Sequence, residues 1–295
     1  MSSSITHKAR AKINLALHVT GQREDGYHLL DSVVVFVDIG DRITVSRKPP
    51  SGGSGASNHS ITVDGPEAAQ LSGEGDNLVL QAARLITPDD AIQIALEKNL
   101  PVSSGIGGGS ADAAATLSAI SDLTGASLPS DDAVLGLGAD VPVCLSGEPV
   151  RMRGIGEDLT PLPVLPDLAI LLANPRVQVA TPAIFKALAK KSNRALPDFP
   201  VGGFPNASSF GDYLALCRND LEPPAVALEP IIETCLTALE EYAQDALLVR
   251  MSGSGATCFA LFEALALAED AANRLANAHP DWWIKPGTVS RANST

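Results

Sequence analysis

The sequence predicts an α+β fold in two lobes. Ala11 to Val19 alternates strictly between apolar and polar residues, the period of a strand. A glycine run at Gly107-Gly108-Gly109 leads into an alanine-rich stretch with helical spacing. Beyond these, strand-like and helix-like segments mix without regular alternation, which argues against a doubly wound sheet.

In the first strand Ile13, Leu15, Leu17 and Val19 share one face, and Lys12, Asn14, Ala16 and His18 the other. That pattern predicts a half-buried strand with a solvated polar side. Glu24-Asp25-Gly26 reads as a turn, followed by separate β-rich runs at 32–39 and 42–46. The Gly, Ser and Pro content of 49–58 predicts a loop tip, and 60–63 resumes a strand. Asn77 to Ile86 has helical spacing, and Ala91 to Glu97 alternates again. Ala111 to Thr124 reads as a helix closed by Gly125. Prolines and glycines between 155 and 166 mark a boundary, dividing the chain into 1–156 and 157–295. Leu168 to Ala173 is a buried strand, and 181–191 a helix opened by Thr181 with Pro182 at its first position. The stretch 190–212 is polar and irregular. Strands at 246–250 and 257–262 flank Ser252-Gly253-Ser254-Gly255, and a helix is expected over 263–278.

Composition narrows the function classes. The chain has 295 residues, 45% hydrophobic and 19% charged, enough for a sizeable core. Its net charge of -13 disfavours nucleic acid as a partner. The four cysteines are dispersed and read as reduced core residues, and the five histidines offer no metal-ligand spacing, so no zinc site is expected. No apolar run is long enough to span a membrane, and the first residues lack the apolar core of a signal peptide, so the expected location is the cytoplasm. The sequence leaves the oligomeric state open.

The glycine turn carries the strongest chemical signal. In Pro101-Val102-Ser103-Ser104-Gly105-Ile106-Gly107-Gly108-Gly109-Ser110, consecutive glycines remove every Cβ from one face, so backbone N–H groups can approach a phosphate. The helix that follows adds its positive end, and Ser110 a hydroxyl. It is not the nucleotide P-loop, because no Gly-Lys-Ser/Thr follows, nor the dinucleotide fingerprint, because Ser110 stands in place of the third glycine. Other constellations are ambiguous in isolation. Asp140, in Gly138-Ala139-Asp140-Val141-Pro142, is a functional carboxylate or a turn cap. Lys12 and Asn14 are site residues or a solvated sheet face. Ser252-Gly253-Ser254-Gly255 is a hairpin or a second backbone surface. Tyr27-His28 suits a flat ring ligand, or is a plain turn with a surface tyrosine.

In this order the motifs resemble the GHMP kinases, and within them the branch that phosphorylates a diphosphocytidyl methylerythritol on the non-mevalonate route to isoprenoids. The resemblance runs from about residue 9 to about residue 262. It implies a two-lobed GHMP kinase fold, with an N-terminal lobe like ribosomal protein S5 and a ferredoxin-like C-terminal lobe. It implies ATP and Mg²⁺ as cofactors and a small-molecule substrate. Carried over by motif, Asp140 is the base and Lys12 its cationic partner. Pro101, Gly105, Gly107, Gly108, Gly109 and Ser110 hold ATP. Tyr27, His28 and Phe185 receive the cytosine, and Asn14 and Thr181 contact the substrate. Residues 193–210 have no clear counterpart, and Asp112 is a candidate Mg²⁺ ligand or a helix cap. The competing readings are another GHMP-type kinase, such as one for homoserine or mevalonate, and a non-catalytic nucleotide-binding protein on the same fold. The Tyr27-His28 pair argues against the first, and the joint presence of Lys12 and Asp140 against the second.

Overall fold

The computed structural model describes residues 4–48, 59–71, 77–88 and 90–290. The loop expected at 49–58 lies outside the described residues. Ten strands and nine α-helices are described, in the order β1 (Ser4–Gln22), β2 (His28–Arg47), β3 (Ser60–Asp64), α1 (Leu78–Ile86), β4 (Ile92–Glu97), α2 (Gly108–Thr124), α3 (Asp131–Leu137), α4 (Val141–Ser146), β5 (Val150–Gly154), β6 (Asp158–Pro161), β7 (Ala169–Asn174), α5 (Thr181–Ala187), α6 (Ala207–Ala215), α7 (Glu222–Leu228), α8 (Ile231–Tyr242), β8 (Leu248–Met251), β9 (Cys258–Phe262), α9 (Leu265–Ala278) and β10 (Trp283–Thr288).

The chain folds into two compact units, each built from several sequence segments. One holds 1–11, 40–102 and 107–146; the other holds 12–39, 103–106 and 147–295. A single cut at residue 156 does not reproduce these units, because β1 and β2 each contribute residues to both.

In the first unit β4 pairs antiparallel with the second half of β2, and β3 pairs parallel with β4. Ile92, Ile94 and Leu96 of β4 point inward with Ile43 and Val45 of β2, as the period of two requires. They meet Ala113, Leu117 and Ile120 of α2, Val79 and Ala83 of α1, Val134 of α3 and Val141 of α4 in one apolar cluster. Alanines let the backbone of α2 approach its neighbours closely. Asn77 caps α1 by accepting from Val79 N–H at 2.9 Å, and Gly125 ends α2 with φ of 78°.

In the second unit β5 pairs with the first half of β2 and with β6. A four-stranded antiparallel sheet runs β10-β7-β9-β8. All of β7 and β9 is buried, against Ile232, Cys235 and Leu239 of α8 and Ala268, Ala271 and Leu275 of α9.

Several expectations need correction. The two runs at 32–39 and 42–46 are parts of one 20-residue strand. Gly40 inside it is no turn: a Cβ there would overlap the Ala9 carbonyl, so glycine permits close approach of neighbouring backbone. The polar face of β1 is not solvated, since Lys12, Asn14, Ala16 and His18 are as buried as the apolar face. Alternation there distinguishes two interiors of different polarity. The irregular stretch 190–212 ends in α6, opened by a capping box between Asn206 and Ser209. The helix at 181 ends at Ala187, and Ala180 precedes it as a cap without a side-chain bond. Cys217, Cys235 and Cys258 are buried and Cys144 is half-buried; none is in a disulfide.

Candidate active site

The glycine turn has a built geometry. Ser103, Gly105 and Gly107 all take positive φ, at 51°, 76° and 67°. Gly105 has no room for a side chain: its Cβ would stand 2.5 Å from Ser252 O and 2.6 Å from Gly255 N. Gly253, with φ of 55°, likewise faces Gly105 O at 2.7 Å. The Ser252–Gly255 segment is therefore a hairpin turn and also a backbone surface packed on residues 103–106. Thr257 N–H donates to Ser104 O at 3.0 Å, and Ser252 Oγ donates to Gly105 O at 3.1 Å.

At Gly107 the chain enters α2. The first hydrogen bond of that helix runs from Ala111 N–H to Gly107 O at 2.8 Å. The N–H groups of Gly108, Gly109 and Ser110 thus precede the ladder and point out of the positive end of a 17-residue helix. Gly109 is exposed. This is an arrangement able to hold phosphate oxygens. α2 begins at Gly108 and not at Ala111, so the glycines are the first turn of the helix.

Beneath this turn lies an ion cluster that sequence reasoning missed. Lys98 Nζ donates to Asp112 Oδ2 at 2.9 Å and to Asp41 Oδ2, with all three side chains buried. A Cβ on Gly108 would stand 3.3 Å from the Lys98 ammonium. Asp41 Oδ1 accepts from Leu100 N–H at 2.8 Å, which fixes the chain as it leaves β4 towards Pro101. Burial would lower the Lys98 pKa, but Asp112 and Asp41 outweigh it and raise it. Burial, against the opposing pull of Lys98, pushes the Asp112 carboxyl up to about 7. Asp112 Oδ1 is buried without a hydrogen-bond partner. Asp112 therefore does not cap α2, and its bonded oxygen is engaged with Lys98. No motif marked the cluster; the only signal was charged residues flanking apolar β4 and opening the alanine-rich helix.

Lys12 and Asn14 share a buried network. Lys12 Nζ donates to Asn14 Oδ1 at 2.9 Å, Asn14 Nδ2 donates to Ser32 Oγ at 2.8 Å, and Ser32 Oγ donates to Ala16 O at 2.6 Å. Asn14 N–H donates to Ser252 Oγ at 3.1 Å, tying the strand to the hairpin turn. Asn14 orients the Lys12 ammonium.

Asp140 is half-buried at the entry to α4, where its carbonyl accepts from Cys144 N–H at 3.1 Å. Its neighbour Val141 is fully buried in the cluster formed with α2, which fixes that entry to the phosphate-turn helix.

The aromatic residues separate into two environments. Tyr27 is 58% exposed on the turn that closes through Arg23. His28 stacks on Phe185 of α5, with ring centroids 4.8 Å apart and planes at 24°. Burial and then Lys191 lower the His28 pKa, so the ring is neutral at pH 7, and its Nε2 is buried without a partner. A buried unpaired nitrogen beside a ring stack is free to bond a further polar group. Thr181 Oγ1 lies 2.8 Å from Ser254 Oγ, joining the start of α5 to the hairpin turn.

Comparison with known proteins agrees with this geometry. The family of GHMP kinases N terminal domains matches residues 77–148, and that of GHMP kinases C terminal domains matches 185–281. A 4-diphosphocytidyl-2-C-methyl-D-erythritol kinase of Cereibacter sphaeroides is 55% identical over 95% of this chain and 98% of its own length. One of Paracoccus denitrificans is 53% identical over 96% of each. A crystal structure of a 4-(cytidine 5'-diphospho)-2C-methyl-D-erythritol kinase superposes with a TM-score of 0.74 at 31% identity, covering 97% of this chain and 99% of the other. A homoserine kinase of Cytophaga hutchinsonii shares the fold with a TM-score of 0.68 at 20% identity. With the phosphate turn, the ring stack and this identity over nearly the full length, the chain belongs to the 4-diphosphocytidyl-2-C-methyl-D-erythritol kinase family of the GHMP kinases.

Proposed function

We propose that this protein transfers the γ-phosphoryl of ATP to the 2-hydroxyl of 4-diphosphocytidyl-2-C-methyl-D-erythritol, on the non-mevalonate route to isopentenyl diphosphate. The observation that carries the substrate is the stack of His28 on Phe185 with an unpaired His28 Nε2, a pair of groups suited to a pyrimidine face and edge. Tyr27, exposed next to His28, supplies a further ring. Thr181, in the helix that carries Phe185, and Asn14, beside Lys12, contact the substrate.

Phosphoryl transfer depends mainly on positioning and charge neutralisation. The N–H groups of Gly108, Gly109 and Ser110 hold phosphate oxygens, and Pro101, Gly105 and Gly107 shape the turn. Asp140 accepts the proton of the attacking hydroxyl. Lys12 supplies positive charge for the aspartate anion and the transferred group. Among the described residues no cluster of His, Cys, Asp or Glu is built to hold a metal ion. Mg²⁺ would be carried by the nucleotide held on the Gly108–Ser110 turn, and would neutralise phosphate charge there. The two family segments lie on either side of residue 156, so 1–156 is assigned to the nucleotide and 157–295 to completing the acceptor site. No helix among the described residues is long and apolar enough to cross a membrane, and we place the enzyme in the cytoplasm.

The test is a coupled ADP-release assay with the diphosphocytidyl substrate, homoserine and mevalonate in parallel. Turnover of the first alone is expected. Equal or greater turnover of either competitor overturns the assignment.

A further inference from the structure

The segment 188–206, which leaves the Phe185 helix, has neither helix nor strand, yet its backbone is held at buried polar contacts. Asn193 N–H donates to Val19 O at 3.0 Å, and Asn193 Nδ2 donates to Asp220 Oδ2 at 3.1 Å. His18 Nδ1 donates to Arg194 O at 2.9 Å, while His18 Nε2 accepts from Arg218 N–H at 3.1 Å. The strongest contact comes next. Asp31 Oδ1 accepts from Arg151 Nε at 2.8 Å, and Asp31 Oδ2 accepts from Arg151 Nη2 at 2.7 Å. The same two groups then grip Leu196 on both sides: its N–H donates to Asp31 Oδ2 at 2.9 Å, and its carbonyl accepts from Arg151 Nη2 at 3.0 Å. The guanidinium also lies over the Phe199 ring, 5.6 Å from its centroid. Asp198 is the other charge near it, exposed and 3.9 Å away.

Asp31 belongs to β2, the strand that begins at His28. Leu196 belongs to the segment that continues from α5, which carries Phe185. Arg151 sits on β5, diagonal to Asp31 across the β2–β5 register. The pair, with Asp31 buried and Arg151 half-buried, thus joins the carriers of both stacked rings. A bidentate carboxylate–guanidinium fork fixes angle as well as distance, which a single hydrogen bond does not. An extended segment without a ladder needs such partners for its backbone groups.

We propose that Asp31 and Arg151 are positioning residues for the pyrimidine site, holding the His28 strand and the Phe185 helix in the arrangement that presents both rings to a cytosine. The proposal rests on the cytidine reading of the ring pair. It assigns the pair no contact with substrate and no role towards ATP.

The experiment compares the full-length wild type with Arg151→Lys, Arg151→Met and Asp31→Asn. CDP affinity is measured by titration calorimetry, and KM for both substrates and kcat by ADP release, with thermal melting alongside. Arg151→Met is expected to weaken CDP and raise KM for the diphosphocytidyl substrate about tenfold, the scale of a small misplacement acting at a distance. KM for ATP should stay within about twofold, and Arg151→Lys, which keeps the charge but not the fork, should fall between. A purely structural role would lower the melting temperature without separating the two KM values. If Arg151→Met does not fold, Arg151→Lys and Asp31→Asn decide the matter by the same ratio. Unchanged CDP affinity in folded variants, or parallel rises in both KM values, overturns the proposal. A wild type that turns over the substrate, with variants that show no such split, sinks this inference alone. A wild type that neither binds CDP nor turns over sinks the cytidine reading, and this inference with it.

Discussion

Alanine at Gly105 and alanine at Gly109 should have opposite consequences, although both glycines belong to the same motif. At Gly105 the backbone has φ of 76°, and a Cβ would stand 2.5 to 2.8 Å from three backbone atoms of Ser252 and Gly255. A left-handed conformation costs an L-residue roughly 1–2 kcal/mol. Overpacking against backbone that cannot rotate away adds roughly 1–3 kcal/mol. Gly105→Ala should therefore lose about 2–5 kcal/mol, a large part of a total stability of roughly 5–15 kcal/mol. At about 2–4 °C per kcal/mol, melting should fall by roughly 5–15 °C. Gly109 has an ordinary helical φ and meets only Leu78 Cδ1, at 3.7 Å. Alanine there is a better helix former by up to about 1 kcal/mol, so melting should hold or rise. Its methyl group, however, stands where phosphate would approach the open N–H groups. Loss of one charge-assisted hydrogen bond, about 1.5–3 kcal/mol, should raise KM for ATP by roughly 10–100-fold. Differential scanning calorimetry and ADP-release kinetics on the two variants separate these effects. Wild-type melting in Gly105→Ala would refute the packing of one turn on the other. A wild-type KM for ATP in Gly109→Ala would refute the helix terminus as the phosphate cradle.

Other perturbations reach the remaining parts of the site. Asp140→Asn should lower kcat by about 10²–10⁴-fold, the usual contribution of a positioned base, while calorimetry finds CDP binding intact; near-normal turnover would remove Asp140 from the mechanism. Phe185→Ala should weaken CDP by roughly 1–3 kcal/mol, one base stack, with KM for ATP unchanged; equal CDP affinity would dismiss the ring pair as a cytosine clamp. The Asp112 carboxyl, raised by burial from 3.8 to about 7, holds its proton in the fold after the unfolded chain has released it. The folded state then binds more protons between about pH 4 and about pH 7, so this group's contribution to stability is lost as pH rises through that window. Asp112→Asn should flatten that slope in urea denaturation; the same slope in wild type and variant would place the titration elsewhere.

Local chemistry made much of this protein legible from its residues. The glycine run announced a close-packed backbone turn opening a helix because only glycine clears such an approach, and Gly125 announced the end of α2 because a left-handed cap favours glycine. The order of the Lys12, Tyr27-His28, glycine-turn and Asp140 motifs pointed to the family, and identity over nearly the full chain agrees. The alternation of β1 was read correctly as a strand but wrongly as half-solvated. A period of two reports that the two faces differ, and here the polar face is an interior satisfied by Lys12, Asn14, Ser32 and His18. Likewise Gly40 reads as a break in isolation, and only the proximity of Ala9 shows why glycine permits the strand to continue. The Lys98–Asp41–Asp112 cluster and the Asp31–Arg151 grip on Leu196 were invisible for one reason. Each joins residues far apart in sequence, and a buried charge declares its partner only when folding brings the two within hydrogen-bond distance. Sequence determined where the glycine turn and the Tyr27-His28 motif lie in the chain; tertiary structure decided which charged side chains hold those segments in place, because such partners meet only on folding.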